Sequence, residues 1–143
     1  MQTLAEFRAK FRVEPLRLYA NAGWTVSLRP AQCTLGACVI SANRQLRSLG
    51  AVNASKAADL ADAVRWFEGR ARTAFAGEKF NHLALMMVDD QLHFHALPRY
   101  GGERRLGELV WTDPGWPKVP DLAHDNPSDD RALALVAAAF ADR

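Results

Sequence analysis

The chain has 143 residues, 49% of them hydrophobic and 24% charged, the balance of a globular protein rather than a disordered one. A chain of this size fits one domain, residues 1–143, whose folding buries roughly two-thirds of the unfolded surface. Eighteen Lys and Arg against sixteen Asp and Glu leave a net charge of +2, too small and too evenly spread to indicate a nucleic-acid partner.

The opening segment, "MQTLAEFRAKFRVEP", lacks the apolar run of a secretory leader, and no stretch approaches the about 20 apolar residues of a membrane span. A cytoplasmic protein without membrane association is expected. Residues 16–41 then alternate in the manner of strands: "LRLYA", "WTVSL" and, after the turn "RPAQCTLGA", "CVISA", an antiparallel meander. Cys33 and Cys38 in this turn are expected to be reduced thiols. Their C-x4-C spacing has no second pair to complete a zinc site, so no structural metal is expected.

From Ser55 to about Ala76 the period changes. Leu60, Val64, Phe67, Ala71 and Phe75 recur at intervals of three and four and lay an apolar stripe along a helix. Asn53 or Ser55 is the candidate N-cap, and Gly77 the C-terminal stop. "HLALMMV" (82–88) and "QLHFHALPR" (91–99) read as two strands joined by a hairpin turn at Asp89–Asp90. The stretch 101–127, with four prolines and two tryptophans, reads as a packed surface segment. A final helix is expected with Ser128 as its cap, Asp129 and Asp130 in the first turn, and Leu133, Val136 and Phe140 on the inner face. This order of elements is that of an α+β domain.

The chemistry concentrates in "QLHFHALPRY". Residues two apart on a strand share a face and lie about 6.6 to 6.8 Å apart, so Gln91, His93, His95 and Leu97 line one side while Leu92, Phe94 and Ala96 supply a buried surface on the other. Three readings fit two imidazoles so placed. They can be hydrogen-bonded structural residues. They can chelate a metal, given a third ligand such as His82, His124, Cys33 or Cys38, none of which stands at a telling spacing. They can also perform phosphoryl chemistry, one neutral imidazole attacking phosphorus and the other donating a hydrogen bond or proton.

The stretch 91–100 resembles the signature of the histidine triad superfamily of nucleotide hydrolases and transferases, in which three histidines alternate with apolar residues and Pro-Arg often follows. Gln91 stands where the first His is expected, His93 is the middle His and His95 the last. The likeness extends through "VSLRPAQCTLGACVISANR", the 55–76 helix, "KFNHLALMMVD" and "DPGWP", so it covers most of residues 16–120.

The resemblance implies an antiparallel sheet of about five strands, a long helix across it and a C-terminal helix, often paired by a two-fold axis into a homodimer. It implies a nucleotide substrate, with no cofactor or metal, and attack by His93 on an α-phosphate to give a covalent nucleotidyl-histidine. His95 then serves near the phosphate oxygens or the leaving group, and a main-chain carbonyl orients His93. Two departures stand out. Gln91 cannot shuttle a proton, and Ala37, after Gly36, occupies a position where many relatives carry a relay His. Arg29 stands where relatives hold the ribose with an acid, which suggests a different sugar contact, a guanidinium reaching a phosphate, or a solvated turn residue. Asn81 is a candidate hydrogen-bond donor to a phosphate or a turn residue. Trp111 and Trp116 either stack on a base or pack on the domain. The reading from a different class is a nucleotide-binding module left catalytically weak by the missing relay.

Overall fold

The computed structural model describes residues 1–141. Its main sheet contains β1 (Arg17–Ala20), β2 (Trp24–Leu28), β3 (Cys38–Ala42), β4 (Lys79–Leu83) and β5 (His93–Arg99) in the order β1-β2-β3-β5-β4, all pairs antiparallel. A two-stranded ribbon, β6 (Arg104–Leu106) and β7 (Leu109–Trp111), stands apart. The helices are α1 (Leu4–Lys10), α2 (Ala54–Phe75) and α3 (Asp130–Ala141). The five-stranded sheet, the long helix and the C-terminal helix agree with the sequence reading.

One face of the sheet carries the main core. Trp24, Val26 and Leu28 of β2, Cys38 and Ile40 of β3, and Ala96 of β5 meet Ala63, Phe67, Ala71 and Phe75 of α2 and Leu133, Val136 and Phe140 of α3. The three- and four-residue spacing of the α2 stripe makes this possible, and each buried Phe contributes about 1.5–3 kcal/mol by leaving water. The opposite face is smaller and more polar. Cross-strand pairing aligns Ser41 with His93 and Val39 with His95, and α1 covers this side with Phe7, which clusters with Val13 and Val39. Gly36 has a φ of 81° and a Cβ there would stand 2.8 Å from the Phe75 ring, so the turn between β2 and β3 needs glycine.

Several boundaries differ from the expectation. The strand foreseen over 82–88 ends at Leu83, and residues 84–92 form an irregular connection rather than a two-residue hairpin. Met86 has a left-handed φ of 54°, which interrupts the ladder. Gln91 precedes β5 and is not part of it. Of the two cap candidates for α2 it is Asn53 that caps, as one alternative expected, accepting from the Lys56 amide, whereas Ala76 rather than Gly77 takes the left-handed closing position with φ 56°. Asp129 rather than Ser128 caps α3: its side chain accepts from the Ala132 amide, while Ser128 Oγ accepts from the Gln32 amide and donates to the Asn126 carbonyl. Helix α1 has no counterpart in the sequence reading.

Candidate active site

The motif strand gains its rigidity from both neighbours. β5 pairs with β3 from Cys38↔Ala96 to Ser41↔His93 and with β4 from Lys79↔Arg99 to Leu83↔His95. At its far end Arg99 is held by a buried pair with Asp113 (2.7 Å) and by Asn81 Oδ1 (2.6 Å). Such a pair is costly to break, about 3–5 kcal/mol, because one partner would remain charged and dry.

His93 and His95 project to the same face, their ring centroids 5.0 Å apart and nearly perpendicular. His93 is 2% exposed and His95 8%. Both line a cavity of about 220 Å³ together with Leu85, Met86, Met87, Val88 and Asp89 of the β4–β5 connection. Phe7 and Phe11 also pack against the rings, Phe7 4.9 Å from His93 and Phe11 5.5 Å from His93 and 6.2 Å from His95.

The hydrogen bonds of the two rings fix opposite tautomers. His93 Nδ1 lies 2.5 Å from the Gln91 carbonyl oxygen. A carbonyl only accepts, so Nδ1 carries the proton and Nε2 carries the lone pair. Arg29 Nε lies 3.3 Å from His95 Nδ1. A guanidinium only donates, so Nδ1 holds the lone pair and the proton resides on Nε2. One ring is left with a free Nε2 lone pair and the other with a free Nε2–H.

Electrostatics keep both neutral. Burial lowers the His93 pKa, opposed by the bond to the Gln91 carbonyl and by the Asp89 carboxylate. Burial, followed by the positive charge of Arg29, lowers that of His95 to about 4. Partial burial pushes the Asp89 carboxyl up, but hydrogen bonds from Lys10 and Gln2 outweigh it and hold the group below its ordinary value.

The other sequence-derived candidates fall as follows. Gln91 is fully buried, and its amide donates to the carbonyls of Ala42 and Arg44, so it pins the chain whose own carbonyl holds His93. Ala37 packs with Cys33 and Leu97. Arg29 is placed beside His95, its guanidinium also donating to the carbonyls of Ala31 (2.8 Å) and Leu122 (3.4 Å). Asn81 shares the histidine face but does not line the histidine cavity. It borders a larger groove of about 750 Å³ with Lys79, Leu83, Trp116 and Lys118. Trp111 is buried and donates to the Pro127 carbonyl, whereas Trp116 lines that groove. Sequence reasoning missed Phe7, Phe11 and Asp89. The capping box of Thr3 and Glu6 was a local signal for the helix that carries Phe7. Among the described residues no three His, Cys, Asp or Glu gather into a metal-binding group.

No family model matches the sequence, and no curated protein matches it. Solved structures do. A histidine triad protein from Marinobacter aquaeolei is similar at a TM-score of 0.69 and 20% identity over 90% of this chain and 89% of its own. One from Sinorhizobium meliloti gives a TM-score of 0.69 at 19% identity, covering 91% of each chain. A hypothetical histidine triad nucleotide-binding protein from Sulfolobus tokodaii gives 0.69 at 13% identity over 93% of this chain and 85% of its own. With its sheet order, its two helices on one face and its paired histidines on the other, the chain has the fold of the histidine triad proteins.

Proposed function

We propose that the chain is a nucleotide hydrolase or nucleotidyl transferase acting at the α-phosphate of a dinucleoside polyphosphate or a nucleoside monophosphate ester or amide. The observation that carries this reading is the pair of neutral imidazoles with opposite tautomers at one cavity. His93 Nε2 attacks phosphorus and forms a nucleotidyl-histidine, while the Nε2–H of His95 donates to a phosphoryl oxygen. The Gln91 carbonyl stabilises the charge that develops on the attacking ring. Water or another acceptor then cleaves the P–N bond. Asn81 enters as a contact for any part of the substrate that extends past Leu83 into the larger groove.

The same resemblance and the outer edge position of β4 support a homodimer that joins two sheets through this strand. A cytoplasmic location fits the sequence, and no described helix is long and apolar enough to cross a membrane.

One observation favours the second reading, a binding module with weak catalysis: Gln91 and Ala37 supply no proton relay. A turnover screen over dinucleoside polyphosphates, mononucleotide esters and nucleoside phosphoramidates tests the choice. Turnover lost in His93→Ala supports the enzyme; tight nucleotide binding with no turnover in the wild type supports the module.

A further inference from the structure

We propose that Arg29 is a positioning residue that holds His95 as a neutral Nε2–H donor, so that the site acts on nucleotides whose leaving group departs as an anion: phosphoanhydrides and mixed acyl anhydrides rather than amides or alkyl esters. The proposal rests on the histidine chemistry given above and narrows its substrate class.

The arrangement around Arg29 is rigid. Its amide donates to the Ala37 carbonyl at 2.8 Å, and the buried Gln32 amide donates to the carbonyls of Arg29 and Ala37, both at 2.8 Å. The side chain is therefore launched from a pinned hairpin and tethered at its tip to Ala31 and Leu122. Arg29, bonded through its backbone to Ala37 just beyond the ends of β2 and β3, is the residue of this turn that reaches His95. Protonating His95 Nδ1 would turn an N–H donor of Arg29 against an N–H and set two positive charges together.

Departure of an amine or alkoxide needs a proton on the leaving atom, and among the described residues no group facing His95 supplies one at neutral pH. The β2–β3 connection contributes the Arg29 guanidinium, whose Nε–H is already directed at His95 Nδ1. β5 contributes His93, whose Nδ1 proton is bound to a carbonyl. The β4–β5 connection contributes Asp89, an ionised carboxylate. Phe11, which caps the end of α1, faces His95, and Lys10, the last residue of that helix, holds both Asp89 oxygens at 2.7 and 3.0 Å. In the first step the His93 Nε2 lone pair forms the N–P bond, the P–O bond breaks, and the leaving oxygen takes the electron pair. In the second, water oxygen bonds phosphorus, the P–N pair returns to Nε2, and the proton from water passes to solvent or to the released anion. Only a weakly basic leaving group makes the first step fast.

Two measurements test this. Long-range nitrogen-15 spectra of the full chain, assigned with His93→Gln and His95→Gln, should show His95 neutral and protonated at Nε2 at pH 5. In Arg29→Met it should titrate at least one pKa unit higher with mixed tautomers, and Arg29→Lys should return it part of the way. A wild-type His95 protonated at Nδ1, or charged at pH 5, overturns the role of Arg29 even if the variants do not fold. In parallel, aryl esters of adenosine monophosphate whose leaving groups span about three pKa units should fall at least a hundredfold in kcat/KM across the series. Adenosine phosphoramidate should not turn over, and in Arg29→Met the dependence should flatten below pH 6.5. A flat wild-type series, or amide turnover equal to that of an anhydride, overturns the substrate class. No turnover of any of these overturns the enzyme reading itself, while the spectra still decide the role of Arg29.

Discussion

The ring of Phe7 packs against that of His93 with centroids 4.9 Å apart, bringing a residue of the first helix onto the proposed nucleophile of the fifth strand. Phe7 is fully buried in a small cluster with Val13 and Val39, separate from the main core. Phe7→Ala is expected to cost about 3–5 kcal/mol of stability, read as a lower urea midpoint. Because burial is the largest cause of the low His93 pKa, the same variant should raise it toward the ordinary value, measured by NMR titration.

The Asp89 carboxylate lines the histidine cavity while accepting from Lys10 and Gln2. A negative charge at this point opposes an incoming phosphate. Asp89→Asn should tighten binding of adenosine monophosphate several-fold by calorimetry. Its effect on stability should stay within about 1 kcal/mol, since Lys10 is half exposed. Unchanged affinity would show that phosphate does not approach this carboxylate.

At about 220 Å³ the cavity is smaller than the about 300 Å³ at the lower end of small-molecule sites. Seating a whole nucleotide within it calls for a shift of α1 or of the 84–92 connection. Hydrogen exchange of residues 4–11 and 84–92 should therefore change on adding adenosine monophosphate, while exchange of β2 and β3 should not. Identical exchange in both segments would contradict this.

Gln91→Ala should impair the site although it removes no reacting atom. The buried carbonyl of Ala42 and the partly buried carbonyl of Arg44 would lose their donor, at a cost of about 1–3 kcal/mol. The loosened Gln91 carbonyl would no longer fix the His93 tautomer, so kcat should fall more than KM rises. Gln91→Glu, of similar shape but able to bring only acceptors at neutral pH, should be no better.

The pH dependence of stability follows from the same rings. A His with its folded pKa below its unfolded value binds more protons when unfolded, so stability falls as pH drops through the interval between the two. For His95 that interval runs from 6.5 down to about 4, and the loss is on the order of 3 kcal/mol. His93 adds to it in the same direction. Asp89, with its folded pKa lowered, adds a further loss only as pH falls below about 3.8. Urea midpoints between pH 7 and 4 check this, and His95→Gln should weaken the slope.

Much of the main sheet and both long helices were legible because each has one apolar face against a common core: "WTVSL" and "CVISA" coincide with β2 and β3. The run 84–88 misled for a physical reason. Its apolar character does not mark burial in a ladder, since Met87 is 88% and Val88 85% exposed, but residues 85–88 also wall the histidine cavity. Within the site, the motif gave the two histidines and their shared face. It could not give the bond from Arg29 to His95 or the cover from Phe7, because both join residues far apart in sequence through a turn and a short helix that periodicity does not reveal. The ribbon β6–β7 was missed for its brevity, although Leu106-Gly107-Glu108-Leu109, with Gly107 at φ 60°, carries a turn signal.

The most direct test of the central claim is to quench the full chain during turnover of adenosine phosphoanhydrides and aryl esters and to map any adduct by mass spectrometry. The account predicts one acid-labile adenylyl group on the peptide containing His93, absent from His93→Ala and present but slower to form in His95→Gln. An adduct that persists in His93→Ala, or turnover by the wild type with no adduct under rapid quench, would contradict it.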